Sequence, residues 1–275
     1  MTESEQQKLW NGTAGQGWVA AQHVLDDLFR PFEDLLVESV PAGLEGALLD
    51  VGCGTGATTL AAARRGGPNL HCTGVDISAP MLDLARTRAA KDGIDAEFVC
   101  ADAQAHRFQS ASYRRIISRF GVMFFDDPVR AFANLHGACA EDGSMRFIAW
   151  RGPAENPFMT TAERAAAPFL PDLPKREPGA PGQFAFAEHE HIAAIMAESG
   201  WSDVTIVPID VACTFSEAEL IGYFTRLGPL AATLPQLESE LREDILHAVR
   251  AGFEPFVDGD TVSFTAACWL VDARA

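Results

Sequence analysis

Ala47-Leu48-Leu49-Asp50-Val51-Gly52-Cys53-Gly54-Thr55-Gly56 decides the fold. A short apolar run of this kind reads as a strand buried on both faces, the central strand of a parallel sheet. It ends in three glycines at alternate positions. Such residues let the backbone turn sharply and let a ligand approach without meeting a Cβ. Ala57-Thr58-Thr59-Leu60-Ala61-Ala62-Ala63-Arg64-Arg65 follows as a good helix former. The cationic last turn and the Gly66-Gly67-Pro68 stop end that helix. The unit is strand, glycine turn and helix, with the helix N-terminus facing whatever sits over the turn.

Downstream the pattern repeats. His71–Asp76 reads as a second strand, and Asp76 follows Gly56 by 20 residues. That is the spacing at which a strand-end acid meets ribose hydroxyls in doubly wound sheets. Ser78 caps a helix running through Met81 to Ala90 and stopping near Gly93. Ala96–Cys100 is a third strand closed by Ala101-Asp102-Ala103, and Arg115–Ser118 a fourth, leading into Arg119 and Phe120. A helix from Val129 to Ala140 and a turn at Asp142-Gly143 precede strand five, Met145–Trp150. Strands alternating with helices across short turns predict an α/β fold, a doubly wound, Rossmann-like and mostly parallel sheet. Asp50, Asp76 and Asp102 each close a successive strand. In such sheets ligands lie across the carboxyl ends, so topology alone brings the three acids together.

The glycine spacing then selects the ligand. A dinucleotide site uses G-x-G-x-x-G, whereas here Gly52, Gly54 and Gly56 alternate and Asp50 precedes them. An anion there repels a pyrophosphate and suits a ligand carrying an ammonium group. Asp50-x-Gly-x-Gly-x-Gly with the later strand-end acids resembles the class I S-adenosylmethionine (SAM)-dependent methyltransferases. The resemblance runs from about residue 44 to 150 and is nearest to the ubiquinone/menaquinone-biosynthesis-like small-molecule group. It implies SAM as cofactor, with Gly52, Gly54 and Gly56 against the methionine moiety. Asp76 would meet the ribose, Asp102 the adenine amino group and Met81 the adenine face, with Cys53, Ile77, Ala103 and Ser118 adjoining. In one respect the chain departs from the resembling group. Many relatives carry a His pair after strand four, and this chain has Met123-Phe124, so no catalytic base is identified. Arg119 is the cation nearest the expected reaction centre, open to a substrate-binding or a salt-bridged structural role, with Phe120 beside it.

Four segments are expected. Residues 1–40 form a helical N-terminal lid, with a glycine-rich turn between Trp10 and Trp18 and a helix from Val19 to Val37. Trp10, Asn11, Gln16 and Trp18 are its candidate cofactor contacts. Residues 41–150 form the SAM-binding core. Residues 151–260 form a substrate-covering insertion after strand five. It opens with Pro153, Pro157, Pro168, Pro171, Pro174, Pro178 and Pro181, and Phe184 and Phe186 are its acceptor-binding candidates. Helices near Glu188–Ser199, Glu217–Leu227 and Leu237–Ala251 and a strand near Val204–Val211 follow. Residues 261–275 return as the last core strand.

With 48% hydrophobic residues among 275, the chain has ample material for a core. A net charge of −17 without a basic block argues against nucleic acid and anionic membranes as partners. The six cysteines show no metal-ligand spacing, so no metal is expected. His189 and His191 lack the i, i+4 pairing of a metal site and read as a solvated helix start. Met1-Thr2-Glu3-Ser4-Glu5 does not read as a signal peptide, and the expectation is a cytoplasmic protein acting on a small-molecule acceptor, with a homo-oligomer left open. The expected activity is methyl transfer to an O, N or C atom of a small apolar acceptor, aromatic or ketide-like. The rivals are a non-catalytic SAM-binding regulator and a nicotinamide-dependent oxidoreductase, the latter disfavoured by the glycine spacing.

Overall fold

The computed structural model describes residues 4–171, 173, 176–177 and 179–275. Pro174 and Pro178, read from sequence as chain breakers, lie outside the described residues. The helices α1 (Glu5–Asn11), α2 (Thr13–Ala20) and α3 (Gln22–Glu38) come first. The core alternates β1 (Gly46–Val51), α4 (Ala57–Gly66), β2 (Leu70–Asp76), α5 (Ala79–Asp92), β3 (Ala96–Cys100), β4 (Tyr113–Arg119), α6 (Pro128–Ala138) and β5 (Cys139–Trp150). Then come α7 (Pro157–Ala166), α8 (His189–Glu198), β6 (Ser202–Ser216), α9 (Leu220–Arg226), α10 (Pro229–Thr233), α11 (Ser239–Gly252), β7 (Val257–Asp258) and β8 (Thr261–Arg274).

The sheet order is β3-β2-β1-β4-β5-β8-β6, with β7 paired to β8. β1 to β5 pair in parallel, and β8 runs antiparallel between β5 and β6. The order reverses between β1 and β4. That switch point opens a crevice outside the carboxyl ends of the strands, where doubly wound sheets bind their ligands. β1 is buried as its apolar run requires: Leu48 and Leu49 are wholly buried and Val51 nearly so.

The N-terminus departs from the sequence reading. Residues 13–20 are helical rather than a glycine-rich turn, and the helix expected from Val19 is split at Ala21. Tight packing explains the glycines there. A Cβ on Gly15 would stand 1.9 Å from the Trp10 carbonyl oxygen and 2.8 Å from Ser78 Oγ. The turn expected at Asp142-Gly143 is also absent. β5 begins at Cys139, and a register shift against β4 between Tyr113 and Arg115 absorbs the irregularity. Two helices in the proline-bearing segments, α7 and α10, have no counterpart in the sequence reading. Each opens with a proline in its first turn, where the missing N–H costs nothing. β6 is longer than expected, reaching Ser216 because β8 pairs with it to that residue.

Candidate active site

A cavity of about 940 Å³ lies over the switch point. Its floor is the strand ends: Asp50–Thr55 after β1, Asp76 and Ile77 after β2, Ala101–Gln104 after β3, Arg119–Gly121 after β4 and Trp150 of β5. Its roof comes from α1, α2 and α3 on one side and from α7, α9 and α10 on the other.

The glycine turn is shaped as much by its own backbone as by any ligand. Gly52 has φ +68°, and a Cβ there would stand 2.6 Å from the Gly121 Cα. The turns after β1 and β4 therefore touch backbone to backbone. Ser118 Oγ fixes them by donating to the Val51 carbonyl at 2.7 Å and accepting from Gly121 N. Next in the chain, Phe120 has φ +64°, a conformation costing a bulky residue about 1–3 kcal/mol. The ring is held by stacking on Trp150 at 4.6 Å, and the Phe120 N–H donates to the Ile148 carbonyl.

Two carboxylates flank the turn in different states. Asp76 is half-buried and accepts from Gly54 N at 2.8 Å and from Ser78 N at 2.9 Å, so it ties the glycine turn to the start of α5. Burial raises its carboxyl above the usual range, opposed by those backbone N–H groups. Asp50 is almost fully buried, with its Oδ2 accepting from Thr59 Oγ1 at 2.6 Å. Desolvation pushes it up to about 6, against the Thr59 hydrogen bond and the attraction of Arg119. Asp102 is half-buried and accepts from Gln104 N.

Most sequence candidates line this one cavity: Trp10, Trp18, Asp50, Gly52, Cys53, Gly54, Asp76, Ile77, Met81, Asp102, Ala103, Arg119, Phe120 and Phe184. Five do not. Asn11 bridges the Ile77 carbonyl and the Ala79 N–H, latching α1 to the loop after β2. Gln16 is exposed on α2. Gly56 caps α4 and faces Ala85 and Phe98. Ser118 is the buried strut already described. Phe186 is 2% exposed and packs on Phe132 and Phe147, so it is a core residue rather than a pocket wall. Arg119 reaches the cavity, but it also lies 3.9 Å from Glu33 and donates toward the Phe29 carbonyl, which binds it to α3.

Sequence reading missed other wall residues. Asp26 of α3 lines the cavity and is paired with Arg88 at 2.6 Å, and Arg88 also donates to the Thr55 carbonyl. Phe29, Phe124, Phe158, Met159, Tyr223 and Phe253 supply much of the remaining wall. No local motif marks most of them, since side chains from five separate parts of the chain converge there only after folding. The amphipathic spacing of α3 was the one available signal.

Residues 48–143 match a family described as a methyltransferase domain. An uncharacterised protein of Mycobacterium tuberculosis is 29% identical over 48% of this chain and 48% of its own length. The chain thus spans about half the length of the first curated relatives it matches. A demethylmenaquinone methyltransferase of Thermus thermophilus is 29% identical over 62% of this chain and 78% of its own. Among solved structures, a Haemonchus contortus phosphoethanolamine N-methyltransferase in complex with S-adenosylhomocysteine superposes with a TM-score of 0.61. That match has 16% identity and covers 99% of this chain and 60% of that one. With the strand order and the acid-flanked glycine turn, these likenesses make residues 48–143 similar to a methyltransferase domain, and the chain similar to the class I, SAM-dependent enzymes of menaquinone biosynthesis.

Proposed function

We propose that the chain transfers a methyl group from SAM to a small, largely apolar acceptor, aromatic or ketide-like. The observation that carries this reading is the shared cavity. An acid-flanked glycine turn and a wall of aromatic side chains open into one space. Its volume is near the upper end of the roughly 300–1,000 Å³ typical of small-molecule sites.

The donor set suits SAM. The Asp76 carboxyl keeps lone pairs free for ribose hydroxyls beyond its two backbone bonds. Asp102 and Ala103 line the cavity where an adenine edge would lie, and Met81 lies beside Gly54. Asp50 gives the turn the negative charge that a methionine ammonium requires. When bound, SAM supplies a methyl group already made electrophilic by its sulfonium. The chain's own residues then have to orient the acceptor and exclude water, which can supply a large share of the rate. Trp10, packed on Trp18 and Phe124, and Trp18, packed on Phe29, serve as the water-excluding lid of residues 1–40. The region of 151–260 covers the acceptor.

Among the described residues, the histidine on the cavity wall is His191, exposed on its helix. His136 instead packs edge-on against Trp201, and His106 edge-on against Phe108. The shortage of a base keeps a second reading alive, a SAM-binding regulator without chemistry. Transfer of labelled methyl from SAM into acceptors of a cell extract separates the two. A cytoplasmic setting belongs to the same proposal, since the six cysteines are free and the charge is strongly negative. No helix among the described residues is long and apolar enough to cross a membrane.

The cofactor test is thermal. S-adenosylhomocysteine binds only the folded state and is expected to add about 2.7 kcal/mol of stability at a hundred times its Kd. NAD and NADP are expected to add nothing comparable. A larger shift with NAD than with S-adenosylhomocysteine would overturn the methyltransferase reading in favour of the oxidoreductase.

A further inference from the structure

Tyr223 is one of two tyrosines in the chain, and it sits on α9 on the cavity wall. Its ring packs against Phe158 at 5.6 Å and Phe215 at 5.4 Å, and Phe158 in turn stacks on Phe264 at 3.8 Å. Met159, Phe253, Leu230 and Phe184 also line the cavity. The setting is apolar, yet it contains a phenol. Its hydroxyl donates to the Met159 thioether sulfur at 3.5 Å. A thioether is a weak acceptor, so the O–H is held but not well satisfied. Tyr223 is half-buried, and a hydroxyl in such an apolar wall normally has a good oxygen or nitrogen partner. An oxygen atom brought into the cavity would be a better partner than the sulfur.

Resting on the methyltransferase reading above, we propose that Tyr223 donates a hydrogen bond to a neutral oxygen of the acceptor. It thereby positions an apolar ring compound that carries a carbonyl or ether-like oxygen. The substrate class is therefore an oxygenated apolar molecule rather than a bare hydrocarbon. Burial, together with nearby Cys213, pushes the Tyr223 phenol well above its ordinary value, so it serves as a donor and not as a base. This makes it a positioning residue. It fixes which face and which atom of the acceptor turn towards the cofactor end of the cavity.

The test uses two rigid probes of nearly equal shape, the aryl ketone α-tetralone and its hydrocarbon tetralin. Binding of each to the S-adenosylhomocysteine-loaded protein is followed by tryptophan fluorescence. Wild type is expected to prefer the ketone by about tenfold, the size of one buried hydrogen bond. Tyr223→Phe keeps the ring, so tetralin and S-adenosylhomocysteine affinities should stay within about twofold of wild type while the ketone preference disappears. A packing role for Tyr223 would move both probes together and leave the preference intact, which would overturn the proposal. So would a wild-type protein that binds the two probes equally, or binds neither. Failure of S-adenosylhomocysteine itself to bind would show separately that the methyltransferase reading has fallen, and the acceptor assignment with it.

Discussion

The two ends of the cavity are built by different means. Over β1, β2 and β3 the wall is backbone and strand-end carboxylate: the turn at Gly52–Gly54, the Asp76 bridge and the buried Asp50. Over β4 and β5 it is side chain, with Phe120, Trp150, Phe158, Met159, Tyr223 and Phe253 drawn from strands and helices far apart in sequence. The first end is dictated by sheet topology and changes little if a roof helix shifts. The second depends on how α7, α9 and α11 pack, so it can be recut for another acceptor without disturbing the first. Cofactor and acceptor recognition should therefore separate under mutation.

The largest expected effect tests where the acceptor wall ends and the core begins. Phe184 and Phe186 are two residues apart, yet Phe184 is partly exposed on the cavity beneath Arg176, and Phe186 is buried on Phe132 and Phe147. Phe186→Ala is expected to cost about 3–5 kcal/mol of folding stability. Phe184→Ala should cost about 1 kcal/mol, mainly its contact with the Arg176 guanidinium, while altering acceptor turnover. Denaturant titration of the pair checks this. Equal losses would mean that the two side chains share one environment and that the boundary is misplaced.

Asp76 gives the next effect, confined to the cofactor end. Hydrogen bonds to a charged acceptor are worth about 1.5–3 kcal/mol each, and two on one carboxylate are not fully additive. Asp76→Ala should weaken S-adenosylhomocysteine binding by roughly tenfold to several hundredfold. It should also lower the ligand-free melting temperature, because Gly54 N and Ser78 N lose their acceptor. Asp76→Asn keeps one acceptor oxygen and should lose about tenfold in affinity with a smaller stability cost. Calorimetric titration that finds either variant within twofold of wild type would put the ribose elsewhere.

The same division governs what could be read in the sequence. Strand-end acids and alternate glycines are local signals, and topology converts them into a site without knowledge of packing. Asp50, Asp76 and Asp102 were legible for that reason. The reading failed where long-range contact overrode local propensity. Gly15 and Gly17 suggest a turn, but both lie in a helix because Trp10 and Arg226 backbone atoms come too close for a side chain. Pro157 and Pro229 suggested loop and instead open helices. Phe184 and Phe186 have the same chemistry in sequence, and only the fold distinguishes wall from core. Tyr223 carries no local signal at all, since its surroundings come from α7, β6 and the chain beyond α11.

The smallest effect concerns pH and belongs to Asp50. Its carboxyl is pushed up to about 6 by burial, above the ordinary 3.8. A carboxyl raised in the folded state binds protons more tightly there than in the unfolded chain. Its contribution to ligand-free stability is therefore present below about pH 4 and is lost as pH rises towards 6. Cofactor binding should have the opposite slope. An ammonium beside Asp50 favours the ionised form, so affinity should fall on acidification as Asp50 takes up its proton. With a carboxyl near 6, about a quarter is ionised at pH 5.5, which predicts roughly a fourfold loss of SAM affinity relative to pH 7.5. Asp50→Asn can still accept from Thr59 but cannot titrate. It should bind more weakly at pH 7.5, show a flatter profile and be relieved of the stability loss between pH 4 and 6. Any slope that survives the substitution belongs to the other carboxyls that burial raises, Asp76 and Glu33. Titrations of SAM into both proteins at pH 5.5 and 7.5 decide the matter. An identical slope in the two would show that no ammonium sits beside Asp50, and the methionine end of the cofactor would have to be placed elsewhere along the turn.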